Sequence, residues 1–322
     1  MQQLLKTTGA YQLLQNEGKS TGFSHAYLLL FDDKRFLRTA LKSFAKILLG
    51  CEEERNDKER RIAELIDNES FTDCLCYPVD KDKKLLVEDA EKILEESTLA
   101  PVEGEKKVFL VGDFAEANAQ TQNKLLKLLE EPPKGVIFLL GATSAFSVLT
   151  TVLSRTKKLE ILSFSQNSIT DYLRRNYQDK YDEKTYTLCA AASCGNVGDA
   201  CNLLEGGYYK TLLDSAFALT LSPIFKLPSV VKQVGEALPK KELLTLLRLI
   251  FRDALLLKTD KAAHLTLHLE KERLQQTADT FSVSALLYAQ EAISTAEKQT
   301  HFNAVFSQCI EVCLANIHEK NK

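Results

Sequence analysis

Apolar residues in the first half of the chain fall either in short continuous runs or at helical spacing. The runs predict strands at residues 26–31, 74–79, 107–111, 136–141 and 157–162. Between them, apolar residues recur three and four positions apart. This spacing predicts helices at residues 34–49, 87–96, 118–131 and 146–153. Strands that are apolar throughout are typical of a parallel sheet covered on both faces, so an α/β domain is predicted here.

The strand pattern disappears at about residue 163, and helical spacing continues to the end of the chain. It predicts helices at residues 167–175, 183–193, 197–205, 239 onward, 270–278, 282–297 and 301–318. Residues 206–230 contain Gly206-Gly207, Pro223 and Pro228, which predicts a loose hinge. We therefore predict three domains: an α/β domain at 1–163, a small helical domain at 164–208 and a C-terminal helical bundle at 209–322.

Composition is that of an ordinary soluble globular protein. The 322 residues are 45% hydrophobic and 26% charged, with a net charge of −3 and no dense Lys/Arg block. This balance argues against tight nonspecific DNA binding by the whole chain. The N-terminus does not resemble a signal peptide, and no apolar run approaches the ~20 residues of a membrane helix. We expect a cytoplasmic protein with no membrane partner.

The eight cysteines contain no C-x-x-C pair. Cys74 and Cys76 are two positions apart in a predicted strand and therefore share one face. Disulfides are rare in cytosolic chains, and a structural zinc site needs four ligands at suitable spacing. These observations favour buried free thiols over a metal or redox role, and we expect no metal site.

The turn after the first strand lacks the chemistry that its position suggests. A strand, turn and helix near the start of an α/β chain commonly hold a phosphate-binding loop. That loop needs glycines to wrap the phosphates and a Lys-Ser/Thr pair. Here the turn reads FDDKRFLRT at 31–39, with no glycine, and Asp32 and Asp33 stand where phosphates would lie. The sequence therefore keeps the frame of a nucleotide site without its loop.

Two segments resemble the AAA+ clamp-loader family of DNA replication: NKLLKLLEEPPKGVIFLLGAT at 123–143 and VLTTVLSRTKKLEI at 148–161. The resemblance includes SHAYLLL at 24–30 and PVEGEKKVFLV at 101–111, and it spans nearly the whole chain. It implies an AAA+ base domain with a parallel five-stranded sheet, a small helical lid and an all-α collar. It also implies partners: gamma/tau-type ATPase and delta subunits in a heteropentameric ring, primed DNA through the assembled complex, and the sliding clamp indirectly.

The ATP site that the resemblance implies is missing in three places. The phosphate loop is replaced by FDDKRFLRT, and Gly112 and Asp113 stand at the family's acidic pair. Gly198 occupies the position of the lid arginine, in GNVGDA at 195–200. The family's four zinc cysteines are reduced to Cys51 before the second strand. These departures imply no ATP hydrolysis by the chain itself and no cofactor of its own.

The Ser-Arg motif is kept, as Ser154-Arg155, followed by Thr156 where the family usually has cysteine. In the family this arginine reaches the ATP of a neighbouring subunit, where a guanidinium stabilises charge on the transferring phosphoryl group. The resemblance thus implies that Arg155 acts in trans, with Ser154 in the same motif. Without that context, Arg155 would be a solvated residue before an edge strand.

Other polar residues carry weaker predictions. Thr143 matches the family's sensor position, but without a nucleotide we expect its hydroxyl to be satisfied at the sheet edge. Glu130 and Glu131 are expected to be solvated helix ends, and His25 to be structural. A basic side of the α/β domain, either a solvated face or a DNA contact, is predicted from Lys106, Lys107, Lys124, Lys127, Lys134, Lys157 and Lys158.

The function that these features imply is a non-catalytic structural subunit of the DNA polymerase III sliding-clamp loader. It would supply a trans-acting arginine and have no intrinsic ATPase, as part of the polymerase holoenzyme. Two alternatives stay open. The first is a divergent AAA+ ATPase that still binds ATP, and the second is a delta-type subunit that opens the clamp.

Overall fold

Five apolar strands form one parallel sheet in the computed structural model. They are β1 (Ala26–Phe31), β2 (Cys74–Tyr77), β3 (Lys107–Val111), β4 (Val136–Ala142) and β5 (Lys157–Ile161). Their order is β2-β3-β4-β1-β5, and all neighbours run parallel. The three central strands are buried along their whole length, which explains their continuous apolar sequence. The predicted parallel five-stranded sheet is confirmed.

The structure describes residues 1–20, 22–178, 180–234, 238–260, 265–301 and 304–321. By the packing of its backbone, the chain divides into two units, Met1–Ser163 and Phe164–Lys322. The first unit contains the sheet. The further division of the second unit at residue 208 stays a prediction.

Seven helices accompany the sheet in the described part of the first unit. They are α1 (Gln2–Lys6), α2 (Gly9–Ser20), α3 (Leu37–Leu48), α4 (Asp57–Asp67), α5 (Val87–Ser97), α6 (Ala119–Glu130) and α7 (Thr150–Leu153). The helix predicted at 146–153 is shorter than expected, since residues 146–149 form a turn. In that turn the Phe146 amide donates to the Ser144 hydroxyl, a local bond that competes with helix formation.

Helix α6 begins and ends as its sequence predicts. The Asn118 side chain accepts a 2.8 Å hydrogen bond from the Thr121 amide and caps the first turn. At the other end, Pro132 and Pro133 disfavour a further turn. Leu125 and Leu129 pack from α6 into the core formed with the sheet. In that core, Phe109 of β3 and Phe138 of β4 stack with ring centroids 5.4 Å apart.

The described residues of the second unit contain helices and no strand. The helices are α8 (Gln166–Tyr177), α9 (Glu183–Ala192), α10 (Val197–Gly206), α11 (Tyr209–Leu221), α12 (Leu227–Val234), α13 (Lys240–Thr259), α14 (Lys271–Thr280), α15 (Val283–His301) and α16 (Phe306–Glu319). The helix predicted at 301–318 includes residues 302 and 303, which lie outside the described residues. No described helix is long and apolar enough to cross a membrane.

The loose hinge predicted at 206–230 is wrong, because most of this segment is helical as α11 and α12. Gly207, with φ +66°, ends α10 rather than opening a hinge. Pro228 lies in the first turn of α12, where a missing amide hydrogen leaves no helical bond unmade. Gly and Pro therefore mark helix ends here, while buried residues such as Phe217 fix α11 between them.

Candidate functional site

The carboxyl ends of β1, β3 and β4 meet at one edge of the sheet, where a nucleotide would bind in a related α/β fold. The register places Leu28 of β1 opposite Leu140 of β4, and Leu139 of β4 opposite Leu110 of β3. The residues that follow these strands therefore lie side by side at that edge. They are Asp32 and Asp33, Gly112 and Asp113, and Thr143.

Asp33 begins the turn that leads into α3, near the place where a phosphate would be held. Its side chain is buried, and the carboxylate accepts a 3.1 Å hydrogen bond from the Phe36 amide. A helix N-terminus favours negative charge, and here the protein supplies that charge itself. The next residue, Lys34, pairs with Glu116, which raises the pKa of the lysine through their hydrogen bond. The turn thus satisfies its own charges without a phosphate.

Asp113 is bonded to its own chain in the position of the family's acidic pair. Its carboxylate accepts a 2.7 Å bond from the Thr143 hydroxyl and a 3.1 Å bond from the Thr143 amide. It also accepts from the Ala115 amide at 3.2 Å, which caps a short 3₁₀ turn at Phe114–Glu116. The Thr143 hydroxyl is therefore satisfied at the sheet edge by a protein carboxylate.

Gly112 leaves little space for the acidic side chain that the family carries there. Its amide donates a 2.6 Å bond to the Tyr77 carbonyl oxygen. A Cβ atom added at Gly112 would lie 3.3 Å from that oxygen and 3.5 Å from the Pro78 ring. Across the described residues, no group of three or more His, Cys, Asp or Glu side chains is arranged to hold a metal ion.

Arg155 lies at the opposite edge of the sheet, before the first residue of β5. Its Nη1 donates to the Thr151 carbonyl at 2.8 Å and to the Ser154 hydroxyl at 3.3 Å. Its Nη2 lies 2.7 Å from Oε1 of Glu130. The side chain stays 34% exposed, so the guanidinium is held in place and still reachable from solvent. The Thr156 hydroxyl donates to the Val152 carbonyl at 3.0 Å and so ties the turn after α7 to that helix.

The Glu130–Arg155 pair was not foreseen from the sequence. Glu130 is exposed, as expected of a helix end, but its carboxylate contacts the arginine of the other motif. Nearby, Nε2 of His25 lies 3.1 Å from the Leu129 carbonyl oxygen and links the start of β1 to the end of α6. The only signal in the sequence is opposite charge in two motifs 25 residues apart, and pairing them requires the sheet register.

Four of the seven lysines of the predicted basic side pair with carboxylates of the same unit. Lys107 is buried against Glu96 at 3.2 Å. Three further pairs are Lys124–Glu91 at 2.6 Å, Lys157–Glu17 at 2.7 Å and Lys158–Glu160 at 2.8 Å. The Lys106 ammonium lies 4.4 Å from the Phe23 ring centroid, and burial lowers its pKa. These contacts give no support to a DNA-binding face built from the seven lysines.

The eight cysteines are free thiols, and six of them are buried. Cys76 is partly buried and Cys194 is exposed, which departs from the expected uniform burial. Burial raises the pKa of Cys51 to about 12, so this thiol is a poor nucleophile. The thiols of Cys74 and Cys76 form a hydrogen bond with each other, which raises the pKa of Cys74 and lowers that of Cys76.

In the second unit, Gly198 lies buried in the first turn of α10. The Asn196 side chain caps that turn by accepting a 2.9 Å bond from the Asp199 amide. The position that the family resemblance assigns to the lid arginine thus carries no side chain able to reach a nucleotide.

Comparisons with known proteins agree with the motifs of the first unit. Residues 6–165 match the family model described as DNA polymerase III, delta subunit. The chain is 28% identical over 198 residues to the tau subunit of DNA polymerase III from Bacillus subtilis, covering 60% of this chain and 35% of that protein. It is 30% identical over 130 residues to the gamma subunit from Buchnera aphidicola subsp. Acyrthosiphon pisum, covering 39% and 36%. The chain thus spans little more than a third of these two relatives.

The solved structures that align with most of this chain have low sequence identity to it. A gamma subunit-related protein from Thermotoga maritima gives a TM-score of 0.43 at 15% identity, over 97% of this chain and 99% of that one. The DNA clamp loader delta protein of Bacillus subtilis gives 0.34 at 12%, over 96% and 99%. Residues 6–165, which contain the parallel five-stranded sheet, are thus similar in sequence to subunits of DNA polymerase III.

Proposed function

We propose that this chain is the delta-prime subunit of a DNA polymerase III clamp loader. It is a structural subunit without its own ATPase activity, and it presents Arg155 to the ATP of a neighbouring gamma/tau-type subunit. It occupies one place in a heteropentameric ring that also contains a delta subunit. It contacts primed DNA through the assembled complex and the sliding clamp indirectly, and it requires no cofactor of its own.

The proposal rests on one relationship: Arg155 and the degenerate nucleotide site lie at opposite edges of the sheet. In the β1–β5 register, Tyr27 lies opposite Lys157 and Phe31 opposite Ile161. Arg155 precedes this paired segment, while Asp33 follows it. Four residue steps of a strand are about 13 Å long, farther than an arginine side chain reaches. A phosphate at the chain's own nucleotide edge would therefore lie beyond the reach of Arg155, which supports contact with a nucleotide of another chain.

The state of the chain's own nucleotide site supports the same function. Asp33 accepts a hydrogen bond from the amide of Phe36, the N-cap of α3, close to where a phosphate would lie, and Asp113 is engaged by Thr143. Two carboxylates repel a polyphosphate, and neither is free to take a new partner without losing hydrogen bonds. A guanidinium at a subunit boundary, in contrast, can raise the rate of phosphoryl transfer by about 10³–10⁵.

The test is the DNA- and clamp-stimulated ATPase rate of the reconstituted loader. Four preparations are compared: the wild-type chain, Arg155→Ala, Arg60→Ala as an exposed arginine control, and a loader without the chain. Arg155→Ala is expected to assemble normally, as judged by size-exclusion chromatography, and to lose at least about tenfold in stimulated rate. Arg60→Ala is expected to match the wild type. A wild-type rate for Arg155→Ala would show that Arg155 is structural and the chain a passive spacer.

The description of the matching family as the delta subunit favours a second candidate function, a subunit that opens the clamp. That role needs exposed apolar residues on an early helix to insert into the clamp. The apolar residues of α3 are all buried, which weighs against it. Direct binding of the isolated chain to the clamp would support this candidate. Binding of ATP with Mg²⁺ by the isolated chain would instead support a divergent ATPase.

A further inference from the structure

We infer that Glu130 is a positioning residue for Arg155, an inference that rests on the proposed trans-acting role of that arginine. The Glu130 carboxylate joins two motifs that are distant in the sequence, L-E-E-P-P at the end of α6 and Ser-Arg after α7. Its Oε1 lies 2.7 Å from Nη2 of Arg155. The arginine is thereby held by acceptors from two separate helices rather than by its own turn alone.

Two hydrogen bonds and one ion pair orient the guanidinium. Nη1 donates to the Thr151 carbonyl and the Ser154 hydroxyl, and Nη2 forms an ion pair with Glu130. A guanidinium carries five N–H donors in one plane, so contacts at both Nη atoms restrict that plane. The two hydrogen bonds do not use all five donors, so others can bind a phosphate of the neighbouring subunit. A partly exposed arginine without such bonds would sample many rotamers and lose them on binding.

Glu130 is itself held by the fold. It is the last residue of α6, next to Leu129, whose side chain is buried in the core. The Leu129 carbonyl oxygen contacts His25, and the Glu131 amide donates to the Lys127 carbonyl at 3.0 Å. The two prolines that follow restrict the backbone beyond this point. The acceptor therefore keeps its place, which is what a positioning group requires.

Glu131 provides a matched control for the Glu130 carboxylate. It is the adjacent acidic residue at the same helix end and is also exposed, while the ion pair to Arg155 is made by Glu130. Glu130→Gln and Glu131→Gln each remove one negative charge at nearly the same location. A general electrostatic effect on the subunit boundary would change both variants alike, whereas loss of positioning changes only Glu130→Gln.

The experiment measures kcat and the KM for ATP of the reconstituted loader carrying Glu130→Gln, Glu131→Gln, Arg155→Ala or the double variant Glu130→Gln/Arg155→Ala. We expect Glu130→Gln to lower kcat about three- to fivefold, the range that a partly exposed ion pair can supply, with little change in KM. Glu131→Gln should stay within about twofold of the wild type. The double variant should equal Arg155→Ala, because Glu130 acts through the arginine.

Several results would overturn the inference. Equal rates for Glu130→Gln and Glu131→Gln would show that the pair does no positioning. A faster Glu130→Gln loader would show that Glu130 restrains the arginine instead. A double variant slower than Arg155→Ala would give Glu130 an independent role. A wild-type rate for Arg155→Ala would refute the proposed function, and the inference with it, and is recognised by that variant alone.

A readout in the isolated chain tests the pair without the loader. The side-chain Nε–H signal of Arg155 in a ¹⁵N NMR spectrum is assigned by its loss in Arg155→Lys. We expect restricted guanidinium motion in the wild type and in Glu131→Gln, and faster motion in Glu130→Gln. Unchanged motion in Glu130→Gln would contradict the positioning role, and thermal unfolding of each variant shows that the fold is intact.

Discussion

The Thr143 hydroxyl donates a 2.7 Å hydrogen bond to the Asp113 carboxylate, across the carboxyl ends of β4 and β3. In the family pattern these two positions face a nucleotide and its metal. Here each residue satisfies the other, and the Thr143 amide adds a second bond at 3.1 Å. These bonds link the carboxyl ends of two neighbouring strands, which predicts a role for Asp113 in stability.

Replacing Asp113 with alanine is expected to destabilise the chain by about 1–3 kcal/mol. The change removes the acceptor of the Thr143 hydroxyl, the Thr143 amide and the Ala115 amide, and unpaired polar groups carry that cost. Urea denaturation followed by circular dichroism measures the free energy of unfolding. Asp82→Ala removes an exposed carboxylate and should stay within about 0.5 kcal/mol of the wild type. Equal losses in the two variants would contradict the prediction.

Asp73 is expected to be one of the most sensitive carboxylates in the first unit. It is fully buried before β2, and it accepts bonds from the amides of Val102, Glu103 and Gly104 at 2.7, 2.8 and 3.2 Å. Asp73→Ala leaves three amides without their acceptor and should cost about 3 kcal/mol or more. Asp73→Asn keeps one oxygen acceptor, so its loss should be smaller.

Chemical denaturation of the two Asp73 variants beside the wild type gives these values. An alanine variant no less stable than the asparagine variant would show that the three amides find other partners, for example water. The comparison is sensitive because both variants remove the same negative charge.

The sheet was predictable because its chemistry is local. Each central strand is a short apolar run whose residues are all buried. The sequence of each strand alone therefore indicates burial on both faces. Helix α4 was missed because only Ile62, Ala63 and Ile66 of its eleven residues are buried, a stripe too narrow to stand out among charges. The α11 and α12 helices were missed because the glycines and prolines at their ends were interpreted as a hinge.

The candidate site was only partly predictable. The missing phosphate loop and the position of Arg155 follow from motifs, since each motif is continuous in the sequence. The Glu130–Arg155 ion pair and the Asp113–Thr143 hydrogen bond join residues that are 25 and 30 positions apart. Such pairs depend on strand order and register, which single-sequence patterns do not fix.

Two glycines with the same φ angle separate steric crowding from backbone strain. Gly135 and Gly22 both have φ +79°. A Cβ atom at Gly135 would lie 2.9 Å from the Glu105 carbonyl oxygen, whereas nothing lies within 4 Å of one at Gly22. Alanine at either position should lower the free energy of unfolding by about 1 kcal/mol, because a residue with a Cβ atom disfavours a positive φ. Gly135→Ala should lose about 1–3 kcal/mol more, because the backbone must also move.

Thermal and urea unfolding of Gly135→Ala and Gly22→Ala measure this difference directly. The Gly135 carbonyl oxygen also accepts a 2.8 Å bond from the Lys107 amide at the start of β3, so a shift of this turn disturbs the sheet. If the two variants lose equal stability, the turn before β4 has more freedom than its contacts indicate.

His318 should make the stability of the second unit depend on pH between about 7.5 and 5.5. Burial lowers the pKa of its imidazole, while a hydrogen bond with the Ser222 backbone opposes that shift. The unfolded chain therefore binds a proton more readily, with a pKa of about 6.5, and the free energy of unfolding falls as pH drops through that value. The centroid of the His318 ring lies 5.0 Å from that of Phe281, and its Nε2 has no hydrogen-bond partner among the described residues.

Urea denaturation at three pH values measures this effect. The free energy of unfolding should depend less on pH in His318→Gln than in the wild type, whereas His268→Gln, at an exposed position, should keep the wild-type slope of free energy against pH. A wild-type slope in His318→Gln would mean that the folded protein accommodates the protonated ring, so that burial of this side chain does not oppose its charge.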